Sequence, residues 1–262
     1  MKKEYLIAGN WKMNLDTHEA SILVHKLDKG IKAYRDVEVV LAPSFVHLQP
    51  LYHQVDHRKF KLAAQNAYHK DSGAFTGEVS FTMLRHLVQY VIIGHSERRL
   101  YFKESFELIR DKVAAAIRNE ITPILCVGET QQERRLGETK QVLHDQVVTA
   151  LSNLTSDEIE QVVIAYEPVW AISTFGGELA KPADIQKEIT YIRKQIAELY
   201  GSSVAKNIRI LYGGSVDDQI ARGYLELEGC NGALVGGASL HPHKFIGIVE
   251  TAHALARETH DQ

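Results

Sequence analysis

The chain has 262 residues, 45% of them apolar and 24% charged, enough for one large buried core and the mix of an ordinary globular protein. A formal net charge of −3 excludes chain-wide attraction to nucleic acid or to an anionic membrane, so whatever draws an anionic substrate must be local. Two cysteines, Cys126 and Cys230, exclude a disulfide framework and fit a reducing compartment.

The opening ten residues carry basic groups but too short an apolar stretch for a signal peptide, and no uncharged apolar run is long enough to span a membrane, so cytoplasm is the expected location. From there, short runs rich in Val, Ile and Leu recur at residues 5–9, 37–42, 61–65, 90–93, 122–127, 162–167, 208–212 and 232–235. They read as strands buried on both faces. Between them lie helix-period segments at 17–29, 105–119, 140–151, 183–200 and 243–257, with weaker ones at 45–55 and 80–87. Thr17 can cap the first helix, Gly30 stands where a C-terminal glycine is favoured, and Pro182 suits a first helical turn. No linker or low-complexity segment interrupts the alternation. It predicts a closed (β/α)8 barrel in one domain, residues 1–262, over an open doubly wound sheet.

In a parallel barrel the functional groups gather where strands end. Strand one ends in Asn10-Trp11-Lys12, strand four in Gly94-His95-Ser96-Glu97, strand six in Glu167-Pro168-Val169-Trp170, strand seven in Gly213-Gly214-Ser215 and strand eight in Gly236-Gly237. These rims offer a carboxylate, a cation, an imidazole and two glycine-rich turns whose N–H groups suit phosphate. Singly, each has a bland reading: a solvated lysine, a structural histidine, an ordinary turn, a rim ion pair. Their joint placement at strand ends is what those readings leave unexplained. The 13 histidines are scattered, and His241-Pro242-His243 has no Cys or carboxylate at ligand spacing, so no metal site is expected.

The stretches Ala8-Gly9-Asn10-Trp11-Lys12-Met13-Asn14, Gly73-Ala74-Phe75-Thr76-Gly77-Glu78, Ile93-Gly94-His95-Ser96-Glu97-Arg98-Arg99, Cys126-Val127-Gly128-Glu129-Thr130, Ala165-Tyr166-Glu167-Pro168-Val169-Trp170-Ala171-Ile172, Leu211-Tyr212-Gly213-Gly214-Ser215-Val216 and Leu234-Val235-Gly236-Gly237-Ala238-Ser239-Leu240 resemble those of triosephosphate isomerases, in family order along the whole chain. In that family a glutamate base works with a neutral histidine, an established pairing carried over here by resemblance. The resemblance implies Glu167 as base, His95 as donor to the carbonyl oxygen, Asn10 as a second neutral donor and Lys12 as the cation that binds substrate and opposes enediolate charge. It implies that Glu97 pairs with Lys12, and that N–H groups near Ser215, Gly236 and Gly237 hold the phosphate. No metal or cofactor is implied.

The lid departs from the family. After Pro168-Val169-Trp170-Ala171-Ile172 relatives usually run Gly-Thr-Gly-Lys-Thr-Ala. This chain runs Ser173-Thr174-Phe175-Gly176-Gly177-Glu178-Leu179-Ala180, which is longer and lacks the lysine. The hinge Pro168-Val169-Trp170 and the latch residues Tyr212 and Ser215 are kept, while Ser173, Gly176 and Gly177 compete as the phosphate-contacting N–H. Two substrates stay open: the triose phosphates, and four-carbon ketose phosphates that a roomier tip would admit by the same enediol step. An inactive phosphate-binding paralogue is a third reading, opposed by the retention of Asn10, Lys12, His95, Glu97 and Glu167 together. The loop at 66–78, with Phe75, Thr76 and Glu78 at its tip, implies an isologous homodimer in which Thr76 approaches the partner's Asn10 and Lys12. Lys103 stands where relatives commonly carry glycine.

Overall fold

The computed structural model describes residues 4–172 and 179–260. Parallel strands follow one another round a closed barrel: β1 (Tyr5–Asn10), β2 (Val37–Ala42), β3 (Phe60–Ala64), β4 (Tyr90–Ile93), β5 (Thr122–Val127), β6 (Val163–Tyr166), β7 (Arg209–Tyr212) and β8 (Gly232–Val235). β1 pairs with β2 from Tyr5↔Val37 and with β8 from Leu6↔Gly232, which closes the sheet and removes its edges. Gly232 permits that closure, because its φ is 138° and a Cβ there would lie 1.9 Å from the Leu6 carbonyl oxygen.

Successive strand residues face opposite ways. Leu6, Ala8, Val40, Ala42, Ile92, Ile124, Val163, Leu211 and Leu234 form one buried cluster, the filling of the barrel. Their neighbours Ile7, Val39, Leu41, Ile93, Val127 and Ile210 join helix residues such as Leu27, Val113, Val147, Ile192 and Val249 in another. Burial on both faces is why the strand runs are continuously apolar rather than alternating. At the N-terminal mouth, Arg209 lies 2.8 Å from Glu38 and the Tyr90 hydroxyl donates to the same carboxylate at 2.8 Å, closing the barrel floor with a paired charge.

Around the sheet lie α1 (Thr17–Gly30), α2 (Phe45–Gln54), α3 (Phe81–Leu84), α4 (Ser96–Tyr101), α5 (Phe106–Arg118), α6 (Gln131–Arg135), α7 (Thr139–Leu151), α8 (Ser156–Ile159), α9 (Pro182–Tyr200), α10 (Ser202–Asn207), α11 (Ala221–Leu225) and α12 (Pro242–His260). Pro182 opens α9 as expected. The cap of α1 is Asp16 rather than Thr17: its carboxylate accepts from the Glu19 N–H while Glu19 accepts from the Asp16 N–H, a reciprocal capping box. Gly30 does not end α1 by left-handed geometry. It is the last helical residue, and a Cβ there would lie 2.3 Å from Ile246 Cδ1 on α12, so its smallness serves helix packing.

The segment expected helical over 80–87 shortens to the single turn α3, capped by the Ser80 side chain on the Met83 N–H. The residue after that turn, Arg85, is a helical C-cap, and the chain then turns into β4. Lys103 has φ 54°, the left-handed region a glycine enters freely, which accounts for the glycine its relatives favour there. Among the described residues no helix is long and apolar enough to cross a membrane.

Candidate active site

Asn10 is the last residue of β1, and its side-chain oxygen accepts from the Lys12 N–H at 3.0 Å. Lys12 has φ 53°, a left-handed backbone that costs a non-glycine residue roughly 1–2 kcal/mol. The surroundings hold it there: its carbonyl accepts from Gln65 Nε2 at 2.8 Å and from Ser44 Oγ at 3.1 Å. So held, Lys12 places Nζ 2.6 Å from Glu97 Oε1, with both side chains about one-fifth exposed. Neither Gln65 nor Ser44 is flagged by the sequence, since each acts through a main-chain contact far along the chain.

His95 follows β4 through Gly94, whose φ of 71° turns the chain into α4. The Nδ1 of His95 accepts the Glu97 N–H at 3.3 Å, as an N-cap would. A nitrogen that accepts carries no proton, so the ring's N–H is on Nε2, the nitrogen 3.2 Å from Glu167 Oε1.

Glu167 lies immediately after β6, one residue beyond the observed strand, and is 1% exposed. Its N–H donates to the Val127 carbonyl at 2.7 Å, and Oε2 accepts the Ser96 N–H at 3.2 Å. Two glycines make the space for it. A Cβ on Gly128 would stand 1.8 Å from the Glu167 carbonyl oxygen, and one on Gly213 would stand 2.6 Å from Glu167 Cγ. Gly213 is therefore a clearance for the carboxylate side chain as much as part of a turn.

Asn10, Lys12, His95, Glu167, Ser215, Gly236 and Gly237 line one pocket of about 400 Å³. Gly237 is open enough that a Cβ would meet nothing within 4 Å, while one on Gly236 would lie 3.7 Å from Lys12 Cε. This leaves the turn and the cation side by side. The Ser215 N–H, expected to face phosphate, donates to the Ala171 carbonyl at 3.2 Å, and the Ser215 hydroxyl is buried without a partner among the described residues. Tyr212 is buried outside the barrel, stacked on Tyr224 at 4.1 Å between centroids, and does not line the pocket. Phe75, Thr76 and Glu78 stand on an exposed loop; the Phe75 ring centroid is 4.7 Å from that of Tyr68.

Pro168 leads into a 3-10 turn, Val169–Ala171, and Glu129 anchors it. That carboxylate accepts from the Trp170 indole at 2.8 Å and from the Tyr166 hydroxyl at 3.1 Å, while its carbonyl accepts the Val169 N–H at 3.0 Å. The Arg134 guanidinium sits 4.3 Å over the Trp170 ring. Burial pushes the Glu129 carboxyl above its ordinary pKa, against those hydrogen bonds. Nothing local in the sequence marks Glu129 for this task; its place two residues past β5 is the one signal there. Ser173, Gly176 and Gly177 lie outside the described residues. Beyond them, the Ala180 carbonyl accepts from the Tyr224 hydroxyl at 2.7 Å, which ties the chain there to α11.

The sequence pattern of the family described as "Triosephosphate isomerase" matches residues 5–252. The chain is 47% identical over 245 residues to the triosephosphate isomerase of Roseiflexus sp. (strain RS-1), covering 93% of this chain and 96% of that protein. It is 44% identical over 248 residues to that of Clostridium beijerinckii, covering 94% and 99%. It is 43% identical over 255 residues to that of Chloroherpeton thalassium, covering 96% and 100%. With matches of that identity along nearly its whole length, the chain belongs to the triosephosphate isomerase family.

Proposed function

We propose that the chain interconverts dihydroxyacetone phosphate and glyceraldehyde 3-phosphate through an enediolate, with Glu167 moving the proton. The observation that carries this reading is the meeting of Glu167, His95 and Lys12 in one pocket beside Gly236 and Gly237, in a chain of this family. Glu167 takes a proton from the hydroxymethyl carbon. The C–H electron pair becomes the new C=C bond, and the carbonyl pair moves onto oxygen. His95 Nε2–H and the Asn10 amide donate to that oxygen, and the Lys12 charge opposes what develops there. Glu167, whose proton can exchange with solvent while the enediolate lasts, then protonates the neighbouring carbon, and His95 carries the proton of the first hydroxyl to the former carbonyl oxygen, which yields the aldehyde.

Gly236 and Gly237 present main-chain N–H groups to the phosphate, and the Ser215 N–H joins them once it leaves Ala171. A lid hinged at Pro168, Val169 and Trp170, with Tyr212 as latch, keeps water from an enediol that would otherwise expel its phosphate.

The whole chain acts as one domain, in the cytoplasm, as a homodimer. Exposed apolar side chains support the pairing: Met13 is 95% exposed, Val46 73% and Phe102 64%, and Phe75 is exposed on the loop that carries Thr76 and Glu78. Sedimentation at micromolar concentration is expected to show dimer, and monomer alone would refute it. The activity itself is tested by kcat/KM for dihydroxyacetone phosphate beside four-carbon ketose phosphates. Efficient triose turnover is expected; greater efficiency on the four-carbon compounds would replace this substrate.

A further inference from the structure

At the opposite end of the barrel, between α9, α10 and the turn before β8, lies a second cavity of about 510 Å³. Its wall includes Arg193, whose guanidinium is held only by neutral acceptors. Nη1 donates to the carbonyls of Ala205 and Ile208, and Nη2 to the Gly229 carbonyl at 2.8 Å and to Asn231 Oδ1 at 3.3 Å. Nε is buried without a partner, and no carboxylate lies within ion-pair distance of Arg193 among the described residues. Lys194 and Lys206 also line the cavity, with the hydroxyls of Thr190 and Ser202 and a single carboxylate, Glu228. Lys194 is engaged by Glu198 at 3.6 Å. A half-buried guanidinium without a counter-charge is costly, and burial accordingly pulls the Arg193 pKa below its ordinary value.

We propose that this cavity is a second anion site, which takes a small doubly charged oxyanion, a phosphate or a dicarboxylate, against Arg193, Lys206 and Ser202. The anion supplies the missing counter-charge. It reaches the fifth guanidinium N–H as the turn at Gly229, whose φ is 78°, yields. The site is remote from Glu167, so its ligand need not be a substrate.

The test follows the Arg193 Nε–H and the Gly229 and Ser202 amides by NMR while inorganic phosphate, or separately succinate, is titrated against sodium chloride at equal ionic strength. Saturable shifts at these three groups are expected, and which anion produces them identifies the class. Inorganic phosphate should also shift Gly236 and Gly237, an independent event with its own midpoint. Gly229→Asp puts a carboxylate beside the guanidinium, since a Cβ there lies 3.2 Å from Nε; the positive φ strains any side chain, aspartate less than most, so thermal unfolding checks that the variant is folded. It should weaken the basal site by about tenfold and leave the Gly236 response unchanged. Lys206→Glu should weaken it in the same sense. Shifts confined to Gly236 and Gly237, shifts that rise linearly as they do with chloride, or undiminished binding in Gly229→Asp would overturn the proposal.

Discussion

Replacing Gly213 by alanine separates a turn glycine from one that makes room for the base. The added Cβ would stand 2.6 Å from Glu167 Cγ where ordinary contact begins at 3.4 Å, so the side chain that carries the carboxylate must retreat by about 0.8 Å (3.4 − 2.6). Displacing a reacting group by about 1 Å costs on the order of 100-fold in rate. Since Gly213 is not proposed to hold the phosphate, kcat should fall by roughly 10- to 100-fold with little change in KM. Overpacking should also lower stability by about 1–3 kcal/mol. Gly237→Ala is the counterpart, because its Cβ meets no atom within 4 Å. Its thermal stability should match the parent, while KM rises as the methyl enters the phosphate end. Steady-state kinetics coupled to a triose phosphate dehydrogenase, with thermal unfolding alongside, reads both effects. A Gly213→Ala enzyme with parental kcat would refute the clearance argument.

Gln65→Ala removes donors to the Lys12 and Ala42 carbonyls, both at 2.8 Å, and frees the left-handed turn that aims Lys12. KM should rise by about tenfold, with a stability loss of about 1–3 kcal/mol in denaturant unfolding. Lys103→Gly should stabilise the fold by about 0.5–1 kcal/mol, the left-handed strain less the added chain entropy of glycine; a loss of stability would contradict this. Glu129 has a raised folded pKa, so the stability it contributes is present below its unfolded value of 4.5 and is lost as pH rises through the folded one. Glu129→Gln should accordingly gain stability relative to the parent as pH climbs above 4.5, then level off in melts across pH. Burial holds the Cys126 thiol well above its ordinary pKa and pushes Cys230 up to about 11, so neither should react with iodoacetamide at neutral pH until the protein is unfolded.

The strands were legible because burial on both faces writes an unbroken apolar run, and each observed strand overlaps its expected one. Glu167 shows the limit at the ends: it reads as the last strand residue, yet lies just past β6, where its side chain can reach His95. The rim groups Asn10, Lys12, His95 and Glu167 could be found because barrel topology forces strand ends together. What holds them could not. Gln65 reaches Lys12 across 53 residues, and Glu129 reaches Trp170 across 41, and no local period records such contacts. Gly213 reads as a turn glycine and Gly128 as one residue of a motif, since the Glu167 atoms they make room for belong to another strand end. The short helices α6, α8 and α10 lack the length that makes a helical period visible.

The most direct test of the central claim is the isomerisation of dihydroxyacetone phosphate in deuterium oxide, followed by NMR for the parent and for Glu167→Asp. Transfer through a carboxylate and an enediolate should leave solvent deuterium on part of the product, at the carbon that receives the proton, to the extent that the Glu167 proton exchanges before it is returned. The shortened carboxylate should slow turnover by a large factor while the substrate still binds. Product formed without deuterium, as in a direct hydride shift, or a Glu167→Asp enzyme as fast as the parent, would contradict the account.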